Sequence, residues 1–187
     1  MKLFWKLQEE GQILTPLQGN PTQKLTRLSL LSTIALTIFM VEAQIPVPIP
    51  IPGVKLGLAN IVTVYGMFAL SPMDTLLILL VRIFLGSVFS GQMMIFFYSL
   101  GGGLCCWLSL CLCRRLFTIK ELWLCSPLSA IFHNIGQLLV AALFLKSWSV
   151  FAYLPYLLLS GILTGLFTGI CTQFLLQRLS HIQTEKN

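Results

Sequence analysis

From residue 28 onward the chain is a succession of apolar runs separated by short polar breaks. Six runs stand out: 28–45, 54–70, 73–90, 93–113, 122–145 and 150–176. About 20 residues at 1.5 Å each cover the ~30 Å hydrocarbon core of a bilayer, and these runs are 17 to 27 residues long. They are continuous rather than alternating, and lipid admits only helices or closed barrels. The pattern therefore predicts an all-α, polytopic membrane bundle of six transmembrane helices.

The breaks between the runs have local causes. Ser71-Pro72-Met73-Asp74 reads as a helix start, with Ser as N-cap, Pro at the first position and Asp at the positive end of the dipole. Gly91-Gln92 separates the third and fourth spans as a tight hairpin. Arg114-Arg115 closes the fourth, and Lys146-Ser-Trp-Ser divides the fifth from the sixth. Residues 1–27 are mixed and polar. Their Leu3-Phe4-Trp5 cluster is too short for a signal-peptide core and is at most an interfacial foot. Residues 177–187 are expected to form a polar tail.

Composition narrows the class further. The chain of 187 residues is 56% hydrophobic and only 10% charged, with a mean hydropathy of +0.86, whereas soluble domains carry about 25% charged residues. The net charge of +6 is scattered between apolar runs rather than gathered on one face, so nucleic acid is not an expected partner and the lipid bilayer is. With the N-terminus cytoplasmic, nine of the twelve Lys and Arg lie inside: Lys2, Lys6, Lys24, Arg27, Arg114, Arg115, Lys120, Arg178 and Lys186. Lys55 and Lys146 fall outside and Arg82 lies within a span. The positive-inside rule thus predicts both termini in the cytoplasm of a cell whose inner membrane holds the protein. The six cysteines (105, 106, 111, 113, 125 and 171) form no CxxC pair. They read as small hydrophobes in lipid-embedded helices rather than as disulfide or metal ligands. No metal or cofactor is expected.

The polar exceptions within the apolar runs are the candidate chemistry. Pro46, Pro48, Pro50 and Pro52, followed by Gly53, forbid a helix between the first two spans. The segment is either a stiff connector or a preformed lid over an outward-facing cavity. Lys55 opens the second span and Asn60 lies about a turn and a half deeper, with small Gly57 and Ala59 between them. Asn60 is inter-helix glue or a ligand contact. Arg82 sits near the centre of the third span, where insertion costs ~2.5–3.5 kcal/mol. It either pairs with Glu42 or Asp74 or binds an anionic ligand. In the fifth span His133 and Gln137 are i,i+4 neighbours with Asn134 one residue round, a grouping that favours a polar pocket over isolated core residues. Gly161, Gly165 and Gly169, with Thr164, Thr168 and Thr172 one step round, form a helix-packing stripe on the sixth span. Gly101-Gly102-Gly103 lacks the Lys-Ser/Thr of a phosphate loop.

Together, the stretch Pro-Gly-Val-Lys-Leu-Gly-Leu-Ala-Asn-Ile-Val (52–62), Arg82 with Leu85-Gly86, Tyr98-Ser-Leu-Gly-Gly-Gly and His133-Asn-Ile-Gly-Gln137 resemble a known bacterial family. It is the heptaprenyl diphosphate synthase component I family, also called the Gx transporter family. That family is in turn similar to the substrate-binding (S) components of energy-coupling-factor importers. The resemblance, over about 28–176, implies two partner sets. One is a transmembrane coupling subunit with a pair of ATPases, serving uptake of a small-molecule ligand. The other is a prenyl synthase subunit, the chain then acting as a non-catalytic accessory in isoprenoid quinone biosynthesis. A single aspartate, Asp74, cannot form the Asp-rich Mg²⁺–diphosphate site such a synthase uses, and there is no P-loop, so the chain is not expected to be an enzyme. An uptake role makes Arg82, Asn60, His133, Asn134, Gln137 and Lys55 the expected ligand contacts.

The topology has a direct check. Reporter fusions after residue 120 and at the C-terminus are expected to read as cytoplasmic, and one after Lys146 as external. An external C-terminus contradicts the orientation.

Overall fold

The computed structural model describes residues 20–44 and 57–184. Among them the fold is an all-α bundle of six helices: α1 (Pro21–Glu42), α2 (Asn60–Ala69), α3 (Pro72–Ser90), α4 (Met93–Leu116), α5 (Leu122–Leu145) and α6 (Leu154–Thr184). Short 3-10 turns at Ile119–Glu121 and Trp148–Tyr153 lead into α5 and α6. All but α2 are long and apolar enough to cross a membrane. The exterior is correspondingly apolar, with Phe84, Phe89, Leu108, Leu143, Leu163, Phe167 and Phe174 exposed around the bundle, as a lipid-facing surface requires.

Three boundaries differ from the sequence expectation. Helix α1 starts at Pro21 rather than at residue 28, because Pro21 at the first turn is preorganised for a helix and polarity alone does not end one. Helix α6 runs to Thr184 rather than 176, carrying what read as a polar tail. Among the described residues of the second expected span, Asn60–Ala69 is α-helical, preceded by a turn at Gly57–Ala59. Ten residues rise about 15 Å, half the hydrocarbon thickness. This helix is enclosed by its neighbours, with eight of its ten residues buried.

The expected start of α3 is present in atomic detail: Ser71 Oγ accepts from the Asp74 N–H at 3.1 Å, with Pro72 at the first helical position. Gly91, at φ +65°, ends α3. Lys146, also left-handed at φ 48°, ends α5. The Asp74 carboxylate pairs with the Lys24 ammonium at 2.7 Å, tying the start of α3 to the start of α1. At the same end of the bundle, Arg114 Nη1 donates to the Leu70 carbonyl at the end of α2 (3.1 Å), and Trp107 Nε1 to the Pro72 carbonyl (3.0 Å). The α2–α3 corner is thus held by α4.

Helices α4, α5 and α6 pack at glycines. A Cβ at Gly102 of α4 would lie 2.8 Å from the His133 carbonyl oxygen, and one at Gly136 of α5 would lie 2.6 Å from that of Gly101. On α6, Gly165 lies over the Pro127 backbone and Gly169 over the Leu122 carbonyl, while Gly161 lies against the Asn134 amide. The Ser126 and Thr168 hydroxyls hydrogen-bond across the same seam at 2.8 Å. Close backbone approach with small polar side chains is the packing mode available where lipid removes the hydrophobic driving force.

Gly165→Ala places its Cβ 2.6 Å from Pro127 Cα, a backbone atom that cannot swing away. Overpacking of this kind costs about 1–3 kcal/mol. The expected result is a lower thermal midpoint in detergent than for Thr164→Ala on the same helix, followed by tryptophan fluorescence. Equal midpoints contradict the packing role of the stripe.

Candidate functional site

The end of the bundle opposite the Lys24–Asp74 pair holds a small buried polar cavity. It is lined by Phe39 and Glu42 of α1, Gly57, Ala59 and Asn60 at the entry to α2, Arg82 of α3, Ser99 of α4, and His133 and Gln137 of α5. The free space within it is about 10 Å³, close to the minimum that admits one water molecule.

Each lining residue is placed by its helix. Phe39 and Glu42 are three apart and share the inner face of α1, as the 3.6-residue period dictates. Arg82 belongs to the buried face of α3 with Thr75, Ile78, Leu79, Ile83 and Gly86. His133 and Gln137 lie one turn apart on the face of α5 that meets Gly102. Gly57 takes φ +88°, and a Cβ there would stand 3.0 Å from the Asn60 amide nitrogen and 3.5 Å from the His133 ring. The turn into α2 therefore lies directly on two of the cavity's side chains.

The start of α2 is capped by an acid from another helix. Glu42 is 2% exposed. One of its carboxylate oxygens accepts from the Gly57 N–H and the other from the Ala59 N–H, the latter at 3.2 Å. A carboxylate at this position also complements the positive end of the α2 dipole. Glu42, Arg82 and His133 line the same cavity, so an acid and a base of opposite charge share it with the imidazole. Asp74, the other acid considered for Arg82, is engaged by Lys24 at the far end of the bundle.

What distinguishes this cavity is its unpaired hydrogen-bonding capacity. Arg82, Asn60, His133 and Gln137 are 1–5% exposed. Five of their side-chain atoms have no hydrogen-bond partner: Asn60 Nδ2 and Oδ1, Arg82 Nε, His133 Nδ1 and Gln137 Oε1. Leaving a buried polar group unmatched costs about 1–3 kcal/mol each. Structures carry few such atoms, and each calls for an explanation. Here they gather at one point and offer both donors and acceptors.

Of the side chains singled out from the sequence, Arg82, Asn60, His133 and Gln137 are brought together. Asn134 is not among the lining residues: its Nδ2 donates to the Leu157 carbonyl at 2.5 Å, linking α5 to α6. Lys55, Pro46, Pro48, Pro50, Pro52 and Gly53 lie outside the described residues. Two polar lining residues carried no ligand expectation. Ser99 appeared only within the Tyr98-Ser-Leu-Gly-Gly-Gly motif, and Glu42 only as a counter-charge for Arg82. The signal for Glu42 was its isolation as the single acid between residues 11 and 73. Among the described residues no three of His, Cys, Asp and Glu gather as metal ligands.

Residues 31–175 match the heptaprenyl diphosphate synthase component I family. The chain belongs to that family. No curated protein and no solved structure matches it. The matched region of this component I protein runs from within α1 to near the end of α6, so every residue of the cavity falls inside it. The family description, taken with five helices of membrane-spanning length, makes the chain a multi-pass membrane protein in contact with lipid, and it names a prenyl diphosphate synthase as the assembly concerned.

The contrast between two neighbouring amides is testable by thermal unfolding in detergent. Asn134→Leu removes a made hydrogen bond between α5 and α6, while the Leu157 carbonyl keeps the Ser160 hydroxyl, so a loss of about 0.5–1.5 kcal/mol is expected. Gln137→Met removes an acceptor that has no partner at nearly constant volume, and is expected to leave stability unchanged or raised. A large loss for Gln137→Met contradicts the account of the cavity.

Proposed function

We propose that this component I protein is the membrane-embedded binding and translocation subunit for a small solute, and is not itself a catalyst. The observation that carries the reading is the set of five unpartnered polar atoms on Asn60, Arg82, His133 and Gln137 around one cavity. Such a cluster destabilises a protein that has no use for it. A ligand with matching donors and acceptors recovers the deficit as binding energy, and its apolar body suits the surrounding Phe39 and Ala59. By the charge bias of the loops, the end carrying Lys24, Arg27, Arg114, Arg115, Lys120 and Arg178 faces the cytoplasm of the inner membrane. The cavity then lies in the outer half, where a solute arriving from outside meets it first. A helix that starts beside a cavity within the membrane, as α2 does in this reading, is a recurrent means of presenting backbone groups to a solute. Energy for uptake would come from a partner transmembrane subunit with paired ATPases.

The family description favours a second reading, in which the chain is a non-catalytic partner of a soluble prenyl diphosphate synthase. Mild extraction and co-purification separate the two. An ATPase pair with a second membrane subunit supports uptake, and a prenyl synthase supports the accessory role. For the site itself, mass spectrometry of the purified protein is expected to recover a small molecule. Arg82→Met and Asn60→Leu are each expected to reduce its occupancy tenfold or more (about 1.4 kcal/mol) while the protein remains folded. Unchanged occupancy in both assigns these residues to structure.

A further inference from the structure

We propose that the start of α2, together with Arg82 and Asn60, is a carboxylate subsite, that Glu42 holds it as an internal occupant, and that the solute carries a carboxylate which takes its place. This rests on the binding role argued above and names the chemical class of the ligand.

Two independent features converge on the subsite. The first is the backbone of the α2 entry, whose Gly57 and Ala59 N–H groups are aimed at one carboxylate and already hold one, that of Glu42. N–H groups at a helix start form an anion site through their directed donors and the helix dipole. The second is the group of side chains lining the same cavity: Arg82, 3% exposed with Nε unpartnered, and Asn60, 5% exposed with both amide atoms unpartnered. A guanidinium and an amide are suited to the oxygens of a planar acid.

Space and charge both single out Glu42 as the group that yields. The free space of about 10 Å³ holds little more than a water molecule, so a carboxylate seated at the α2 entry must take the place of a lining group. Arg82, His133 and Gln137 lie in mid-helix, fixed by the packing of α3 and α5. Glu42 is the last residue of α1, and its carboxylate's hydrogen bonds among the described residues are the two to the α2 entry. Turning it outward breaks no helix. Exchange of one carboxylate for another also leaves the charge beside Arg82 unchanged. A neutral solute would leave Glu42 in place or strip Arg82 of its counter-charge, at a cost of several kcal/mol per buried ion. The solute gains over Glu42 by also engaging Asn60, His133 and Gln137.

Chemical rescue tests this in the full-length protein in detergent. Glu42→Ala deletes a fragment equivalent to acetate, so acetate is the probe. The variant is expected to melt below wild type and to recover roughly 3–5 °C in about 100 mM sodium acetate. Sodium chloride at equal ionic strength and acetamide at equal concentration are expected to shift it by less than about 1 °C on the same scale. Wild type, whose tethered carboxylate outcompetes the free one, is not expected to respond. Adding Arg82→Met to Glu42→Ala is expected to abolish the acetate shift. If Glu42→Ala is not recovered folded, Glu42→Ser, which also vacates the carboxylate's space, takes its place with the same comparison. No acetate-specific shift, or an equal shift with acetamide, overturns the subsite. A carboxylate-free molecule co-purifying with wild type alongside no acetate shift overturns it too, yet leaves the binding role standing. An acetate shift with no molecule recovered supports the subsite and counts against that role.

Discussion

The structure depends on how one charge is buried. Arg82 sits near the middle of α3, where a lone cation costs a few kcal/mol even with relaxation of the surroundings. Glu42, an acid lining the same cavity, is placed to balance it, and the same carboxylate caps the entry to α2. One acid thus balances a buried base and starts a helix inside the bundle. That double use explains why α2 can begin at membrane depth. Its first N–H groups, which would otherwise face an apolar interior, meet a carboxylate on one side and the carbonyls of Gly57 and Leu58 on the other.

The remainder of the bundle holds this arrangement rigid. At one end, the Lys24–Asp74 pair and the bonds from Arg114 and Trp107 fix the α1, α2 and α3 ends against α4. Through the centre, Gly101, Gly102 and Gly136 bring the α4 and α5 backbones together, and the α6 glycines do the same for α5 and α6. Close helix contact sets His133 and Gln137 against Ser99 and the α2 entry without leaving space between them. The unpartnered atoms therefore cannot relax by moving apart, which is the condition under which a preorganised site keeps its binding capacity.

How much of this was legible in the sequence depended on range. Hydropathy is local, so the apolar runs and the Ser71-Pro72 start translated directly into helices. The length of α2 was not legible, because Leu56 to Leu58 is as apolar as the helix that follows. At Gly57 the backbone takes φ +88°, and its N–H is held by a carboxylate 15 residues earlier. The polar first turns of α1 read as part of the mixed segment before the first span because polarity marks the membrane boundary, not the helix boundary. Within the candidate site, Arg82, Asn60, His133 and Gln137 were recognisable as polar groups in apolar surroundings. Asn134 has the same signature, but its face of α5 meets the Leu157 carbonyl of α6. Only the arrangement of neighbouring helices separates it from Gln137, three residues away.

The measurement that bears most directly on this account is a double-mutant cycle between Glu42 and Arg82, using Glu42→Gln, Arg82→Met and the pair, read as unfolding free energy in detergent. If the two groups balance each other, each single substitution strands a buried charge and the double variant does not. The account predicts a coupling of about 1–3 kcal/mol, with the double variant at least as stable as the weaker single one. Additive losses, with no coupling beyond about 0.5 kcal/mol, would show that Arg82 and Glu42 are buried independently and would contradict it.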